Sequence, residues 1–308
     1  MTVENFLRYP YLVSLVLFGL LMGAAIYMYY ANPTNDKLQT DVYEFTTLDI
    51  PPGSFGTRAL GVNDQGDIVG TNGPKGFVIR NGTTSAIHKE GSAFDQVSGI
   101  NSSGIIAGTF SDVGQSRAFI YDSKTYVMIE PPAVTYAQAP HFGSSSANAI
   151  NELGHVVGIY NDERGTHGFF YDGNKHVELN YPGATQTQTT GINVRGQIVG
   201  FHRAHKGRIH GFVYDGKYST LDFPGGPESD TRLMGINDLG EIVGVCSCEP
   251  YKAARGFLYR NGQFIDIQFP NASETFPNGI NDYGMIVGFY SGSDGGHGFY
   301  AVPKSDQK

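Results

Sequence analysis

Three sets of side chains in this sequence have the types and spacing that chemistry needs. The first is a series of cations and imidazoles, Lys75, Arg117, His167, His210, Arg255 and His297, each directly before Gly-Phe or Ala-Phe. If they converged, they could share one small ligand. The second is a set of six amides, Asn63, Asn101, Asn151, Asn193, Asn237 and Asn281, which could hold a polar ligand. The third is Cys246-Ser247-Cys248, which contains the only two cysteines. These could form a disulfide, remain thiols or, with two further ligands, bind a metal. By subtraction the asparagines are 38, 50, 42, 44 and 44 residues apart, a period that means a repeat architecture.

The elements that must position these groups follow from one ten-residue phrase. It reads GVNDQGDIVG from Gly61, GINSSGIIAG from Gly99, AINELGHVVG from Ala149, GINVRGQIVG from Gly191, GINDLGEIVG from Gly235 and GINDYGMIVG from Gly279. Within it, Asn can accept from the backbone two residues on, and Gly supplies the positive φ that closes a short hairpin. This turn chemistry assigns the six asparagines a structural role. Asn81-Gly82, Asp172-Gly173, Asp215-Gly216 and Asn261-Gly262 mark a second hairpin of the type I′ kind. The last Gly of each phrase lies inside a strand, which calls for close approach of a neighbouring backbone.

Each repeat therefore holds four short antiparallel strands, and none of its apolar runs is long enough for a helix. Units of this kind repeated around a ring make an all-β, six-bladed β-propeller. The last repeat stops after HGFYAV (His297 to Val302), one strand short, while VYEFTTLDIPPG (Val42 to Gly53) matches KYSTLDFPGG (Lys217 to Gly226). The N-terminal strand thus completes the sixth blade and removes the open edge of a linear stack.

Over residues 42–303 the chain resembles the HAF-type extracellular repeat proteins of bacteria, in which a His-Ala-Phe tripeptide begins a strand. The matching tripeptides here begin at Lys75, Arg117, His167, His210, Arg255 and His297, with His replaced in the first, second and fifth repeats. The resemblance implies an exported propeller and carries no particular activity with it.

The propeller geometry then decides what the candidate groups can do. The cation and imidazole ring falls on the third strand of each blade, roughly 10 Å farther out than the inner strands. Its members diverge, so each is expected to pair with a carboxylate or carbonyl within its own blade. The axis is the better place for a site. The residues just before the phrases are Leu60, Ser98, Asn148, Thr190, Met234 and Asn278; two further back stand Arg58, Gln96, Ser146, Gln188, Arg232 and Phe276. Neither set contains a carboxylate or a histidine, as a lactonase-type metal site or a glycosidase would require. No phosphate loop or nucleophile elbow is present either. The expectation is of a chain that is not an enzyme and uses no cofactor or metal.

The N-terminus reads differently. No charged residue occurs from Tyr9 to Asn35. A transmembrane helix is predicted over 11–31, after a short cytoplasmic segment 1–10 and before a linker 32–41, with a tail at 304–308. Bulky tyrosines rather than a small-x-small site precede Asn32, which favours an uncleaved anchor over a signal peptide. Gly19 and Gly23, with Ala24, form a small-residue face against which another helix could pack. Arg8 before the span favours a periplasmic propeller on a bacterial inner membrane. The net charge of −8 leaves no basic surface for nucleic acid.

Two loops break the repeat. The long interval after Asn101 carries Tyr136, His141 and Phe142, and the fourth repeat carries His202, Arg203, His205, Lys206 and Arg208. Both are candidate partner contacts. The functional expectation is a structural or interaction subunit of a larger membrane complex, photosynthetic or respiratory, contacting other membrane subunits and lipid. A tethered glycan- or peptide-binding module is the alternative, and a propeller hydrolase a third.

Overall fold

The computed structural model describes residues 42–50, 56–112, 115–130, 143–204, 207–226, 228–248 and 253–304. They form six four-stranded antiparallel sheets arranged as propeller blades. Blade 1 consists of β2 (Thr57–Val62), β3 (Ile68–Asn72), β4 (Lys75–Arg80) and β5 (Thr83–Ile87). The inner strands of blades 2 to 6 are β6 (Phe94–Ile100), β10 (Ser145–Ile150), β14 (Gln186–Ile192), β18 (Asp230–Ile236) and β22 (Glu274–Ile280). Among the described residues no helix is long and apolar enough to cross a membrane. The expected span over 11–31 lies outside them, and so do Gly19, Gly23 and Ala24, the linker 32–41 and residues 305–308 of the tail.

The ring closes as the matched termini predict. β1 (Tyr43–Leu48) pairs antiparallel with β24 (Gly295–Pro303), from Tyr43 opposite Pro303 to Leu48 opposite Gly298. It forms the outer edge of the sheet that continues through β23 (Ile286–Gly292) to β22. A sheet that would have offered a bare edge is thereby covered.

The phrase explains the tightness of the centre. Each inner strand is bulged just before its Gly or Ala, as between Ala59 and Gly61, so one residue per blade is left out of the ladder. Those residues, Leu60, Ser98, Asn148, Thr190, Met234 and Asn278, point to the axis. The last Gly of the phrase has the predicted close neighbours. A Cβ at Gly200 would strike the carbonyl oxygen of Gln188 on the inner strand and the ring of Phe212, and the other five glycines are placed alike. The Phe after each tripeptide's Gly or Ala (Phe77, Phe119, Phe169, Phe212, Phe257, Phe299) is fully or almost fully buried. Each contributes roughly 1.5–3 kcal/mol by burial.

One turn expectation holds at two positions and changes at two. Asn81 and Asn261 have φ of 48° and 52°, followed by positive-φ glycines, as a type I′ turn requires. In the Asp172 and Asp215 hairpins only Gly173 and Gly216 take positive φ. Asp172 instead accepts from the N–H groups of Asn174 and Lys175, so its carboxylate closes a longer turn.

Candidate functional site

The strands divide the molecule into two faces. One carries the Asn turns and the hairpins between third and outer strands; the other carries the loops between second and third strands and the connections from blade to blade. The Asn face is fastened by a device spanning all six repeats. Each Asn Oδ1 accepts the N–H four residues on, as in Gln197 to Asn193 at 3.0 Å. The closer acceptance two residues on occurs as well, at Asn151, Asn193 and Asn281. Each Nδ2 then donates to the backbone carbonyl of the next blade's Asn. The chain of donations runs 63 to 101, 101 to 151, 151 to 193, 193 to 237, 237 to 281 and 281 back to 63, at 2.9–3.2 Å. All six asparagines are buried. Both polar ends of each amide are satisfied, so the belt adds cohesion without an orphaned group.

Immediately above the belt lies a cluster that the sequence reading missed. Asp64, Glu152, Asp238 and Asp282, each the residue after the Asn, line the axial mouth on this face. That expectation placed no carboxylate at the axis, and it is corrected here: the acids follow the phrase's Asn rather than precede the phrase. Each acid accepts from the main chain of the preceding blade. Ser102 N–H reaches Glu152, Val194 N–H reaches Asp238, Asp238 N–H reaches Asp282 and Asp282 N–H reaches Asp64, at 2.8–3.0 Å. Burial pushes the Asp282 carboxyl above its ordinary value. The Asp238 N–H opposes this, and the charges of Asp64, Asp238 and Glu152 add to it. Among the described residues no three His, Cys, Asp or Glu are grouped to hold a metal ion.

The opposite mouth is cationic and aromatic. Arg58 lies over the Phe289 ring at 4.8 Å, Phe276 stacks on the same ring at 4.5 Å, and Arg232 lies over Phe201 at 5.8 Å. Burial lowers the Arg232 pKa, Asp230 opposes this, and Arg203 adds to it. Between the mouths the axis is narrow, with two cavities of about 70 Å³ each. Pockets for drug-sized ligands are usually several times larger.

Four members of the third-strand ring pair as its divergence predicts. His210 pairs with Asp222 at 2.7 Å, Arg255 with Asp266 at 2.8 Å and His297 with Asp49 at 2.9 Å. His167 contacts Asn180 and Asp162. Hydrogen bonding to Asp49 raises the His297 pKa, burial opposes this, and Asp294 adds to the rise.

Of the candidate contact residues, Tyr136, His141, Phe142, His205 and Lys206 lie outside the described residues. His202 does not present a contact surface, which corrects that expectation: it is 6% exposed and stacked on Tyr181 at 3.7 Å. Neither of its ring nitrogens has a partner among the described residues, and burial lowers its pKa. Arg203 is tied to Gln186 and to the Gly207 carbonyl, and Arg208 to the Ser229 carbonyl. These arginines brace loops. Cys246 and Cys248 are joined as a disulfide with Cα atoms 5.4 Å apart, buried against Phe257 and Phe223.

No family model matches the chain, and no curated protein matches it. Solved structures do. A candidate gluconolactonase is similar with a TM-score of 0.54 and 11% identity, over 89% of this chain and 97% of that one. A streptogramin B lyase gives 0.50 and 12%, over 85% and 98%. A candidate TolB from Agrobacterium tumefaciens gives 0.51 and 11%, over 69% and 75%. At such identities what is shared is the propeller fold. The comparisons also correct the expectation that this chain is not an enzyme. A lyase is built on the same fold, and the acids whose absence supported that expectation do stand at the axis.

Proposed function

We propose that this protein is a membrane-tethered propeller that docks through its Asn face onto an extracytoplasmic protein surface of a membrane assembly. One observation carries the reading. Leu153, Leu239 and Tyr283, the tips of three Asn turns, are 63%, 65% and 75% exposed, and the first strand also begins on that face. The described chain therefore enters the propeller, at Val42 and Tyr43, on the side where these large apolar side chains stand in solvent. Large apolar side chains exposed together on one face mark a surface that another protein covers. The four carboxylates at that centre select a partner with Lys or Arg there and disfavour an anionic lipid surface. The periplasmic setting and the kinship with HAF-type repeats belong to the same proposal.

The test is gentle detergent solubilisation of native membranes followed by native electrophoresis. The wild-type chain is expected to migrate with other membrane subunits. A variant with Leu153, Leu239 and Tyr283 all changed to Ser is expected to separate from them while keeping its melting temperature. Migration of the wild type as a free monomer, with nothing co-purifying, would remove the reading.

A further inference from the structure

Along the seam between blades 6 and 1 runs a groove of about 830 Å³, open to solvent where Thr84 and Ala86 are exposed and within the volume range of small-molecule sites. Leu48, Ile50, Phe77, Ile79, Thr84 and Tyr300 supply much of its lining. Comparison of the seams explains it. In blades 2 to 5 a position on the outer strand carries a ring packed on its partner across the ladder. The pairs are Tyr126 on Tyr121 at 4.4 Å, His176 on Tyr171 at 4.5 Å, Tyr218 on Tyr214 at 4.8 Å and Phe264 on Tyr259 at 4.9 Å. In blade 6 the same register holds Phe45, opposite Ala301 and 5.7 Å from Phe299. In blade 1 the register pairs Ile79 with Thr84.

A second ring is replaced in the same seam. The connection entering blades 4, 5 and 6 brings an aromatic against the outer-strand ring: Tyr181 on Tyr218 at 5.2 Å, Phe223 on Phe264 at 5.1 Å and Phe269 on Phe45 at 5.6 Å. In the connection entering blade 1, among the described residues, the same position holds Ile50. Two aromatic positions that touch each other elsewhere are thus aliphatic or polar here. One polar group at the groove is unsatisfied: Asn72 donates its Nδ2 to the Ile50 carbonyl, while its buried Oδ1 has no partner among the described residues. A buried acceptor of this kind calls for an N–H or O–H.

We propose that this seam is a binding site for a small planar aromatic molecule bearing one hydrogen-bond donor, of the indole or phenol class. Its ring fills the space that Thr84 and Ile50 leave where other blades carry two touching aromatics, and its donor meets Asn72 Oδ1. The inference is independent of the docking reading and of the axis.

The chain contains no tryptophan, so the shift of indole emission on binding, excited beyond the tyrosine band, is read without a background from the protein. The full-length protein in detergent is titrated with indole, and Thr84→Phe, which restores the ring, is titrated in the same detergent so that partitioning cancels. Saturable binding by the wild type at about millimolar affinity is expected, at the level a ligand of this size reaches. Thr84→Phe should bind at least tenfold more weakly and melt no lower than the wild type. N-methylindole, which lacks the donor, should bind the wild type about tenfold more weakly than indole. Equal binding by the two proteins, or no saturable binding by the wild type, overturns the proposal. So does a lower melting temperature in Thr84→Phe, because the space would then already be filled by the chain itself.

Discussion

The two mouths of the axis are built from the same six strands, yet they differ in charge and in how that charge is held. On the Asn face, Asp64, Glu152, Asp238 and Asp282 rest on main-chain N–H groups from neighbouring blades above a closed belt of amides. On the other face, Arg58 and Arg232 lie over aromatic rings, and no closed belt of amides stands there among the described residues. The contrast separates scaffold from variable position. Asn is fixed in every repeat because its amide joins two blades. The residue after it can be Asp, Ser, Glu or Val because the backbone donor is present whatever side chain faces it.

The sharpest way to break this contrast is to cut the belt. Asn193→Ala removes an inter-blade donor and a turn acceptor at a fully buried site, and is expected to cost about 2–4 kcal/mol in urea denaturation. Arg58→Ala at the other mouth should cost only about 0.5–1 kcal/mol, the scale of one exposed cation–π contact. Equal losses at the two mouths would show that the belt is no stronger than a side-chain stack.

The next test uses the histidine beneath the cationic face. His202 is depressed by burial first, then by its neighbour His210, with Asp222 opposing. An unfolded chain takes up this proton near pH 6.5 while the folded one resists, so stability is lost as pH falls through 6.5. His202→Phe supplies the kind of ring that Phe110 or Tyr290 brings to this place in other blades. It should stabilise by about 1 kcal/mol and flatten the acid limb of a melting-temperature profile. His297 runs the other way: raised by Asp49, it contributes fully below pH 6.5, and that contribution fades as pH rises through its elevated value. Imidazole proton shifts in NMR should place His202 below and His297 above 6.5.

The smallest effect belongs to the acids. Asp282→Asn keeps an oxygen for the Asp238 N–H and removes one charge from the four. It should be neutral or stabilising by a few tenths of a kcal/mol at pH 7. Because the folded carboxyl is raised, the wild type gains relative stability as pH falls through that raised value toward 3.8, and the variant lacks this gain.

Much of the ring was legible in the sequence because each repeat states its own local geometry: Asn and Gly for the turn, and Gly200 for close approach. The closing strand was legible because Val42 to Gly53 repeats the wording of Lys217 to Gly226. The belt was not, since its bonds join one repeat to the next and no single repeat encodes them. The axial acids were missed for a related reason. Asp64 and Asp282 sit in a turn where Asp is common for local reasons, and only the ring places them beside one another. The side groove left a readable trace, Thr84 where the other outer strands carry Tyr126, His176, Tyr218, Phe264 and Phe45. That trace acquires meaning once the register shows that these positions correspond.

The closing strand also sets the order of events at birth. Tyr43 finds Pro303, its partner 260 positions later by subtraction. At the usual pace of synthesis, roughly 5–20 residues per second, β1 waits roughly 13–52 s for the strand it must join. For that interval the nascent chain carries an unsatisfied edge at its beginning while blades accumulate behind it. Ring closure is thus the last step of assembly, and a chain cut short before Gly295 would leave β1 with nothing to join.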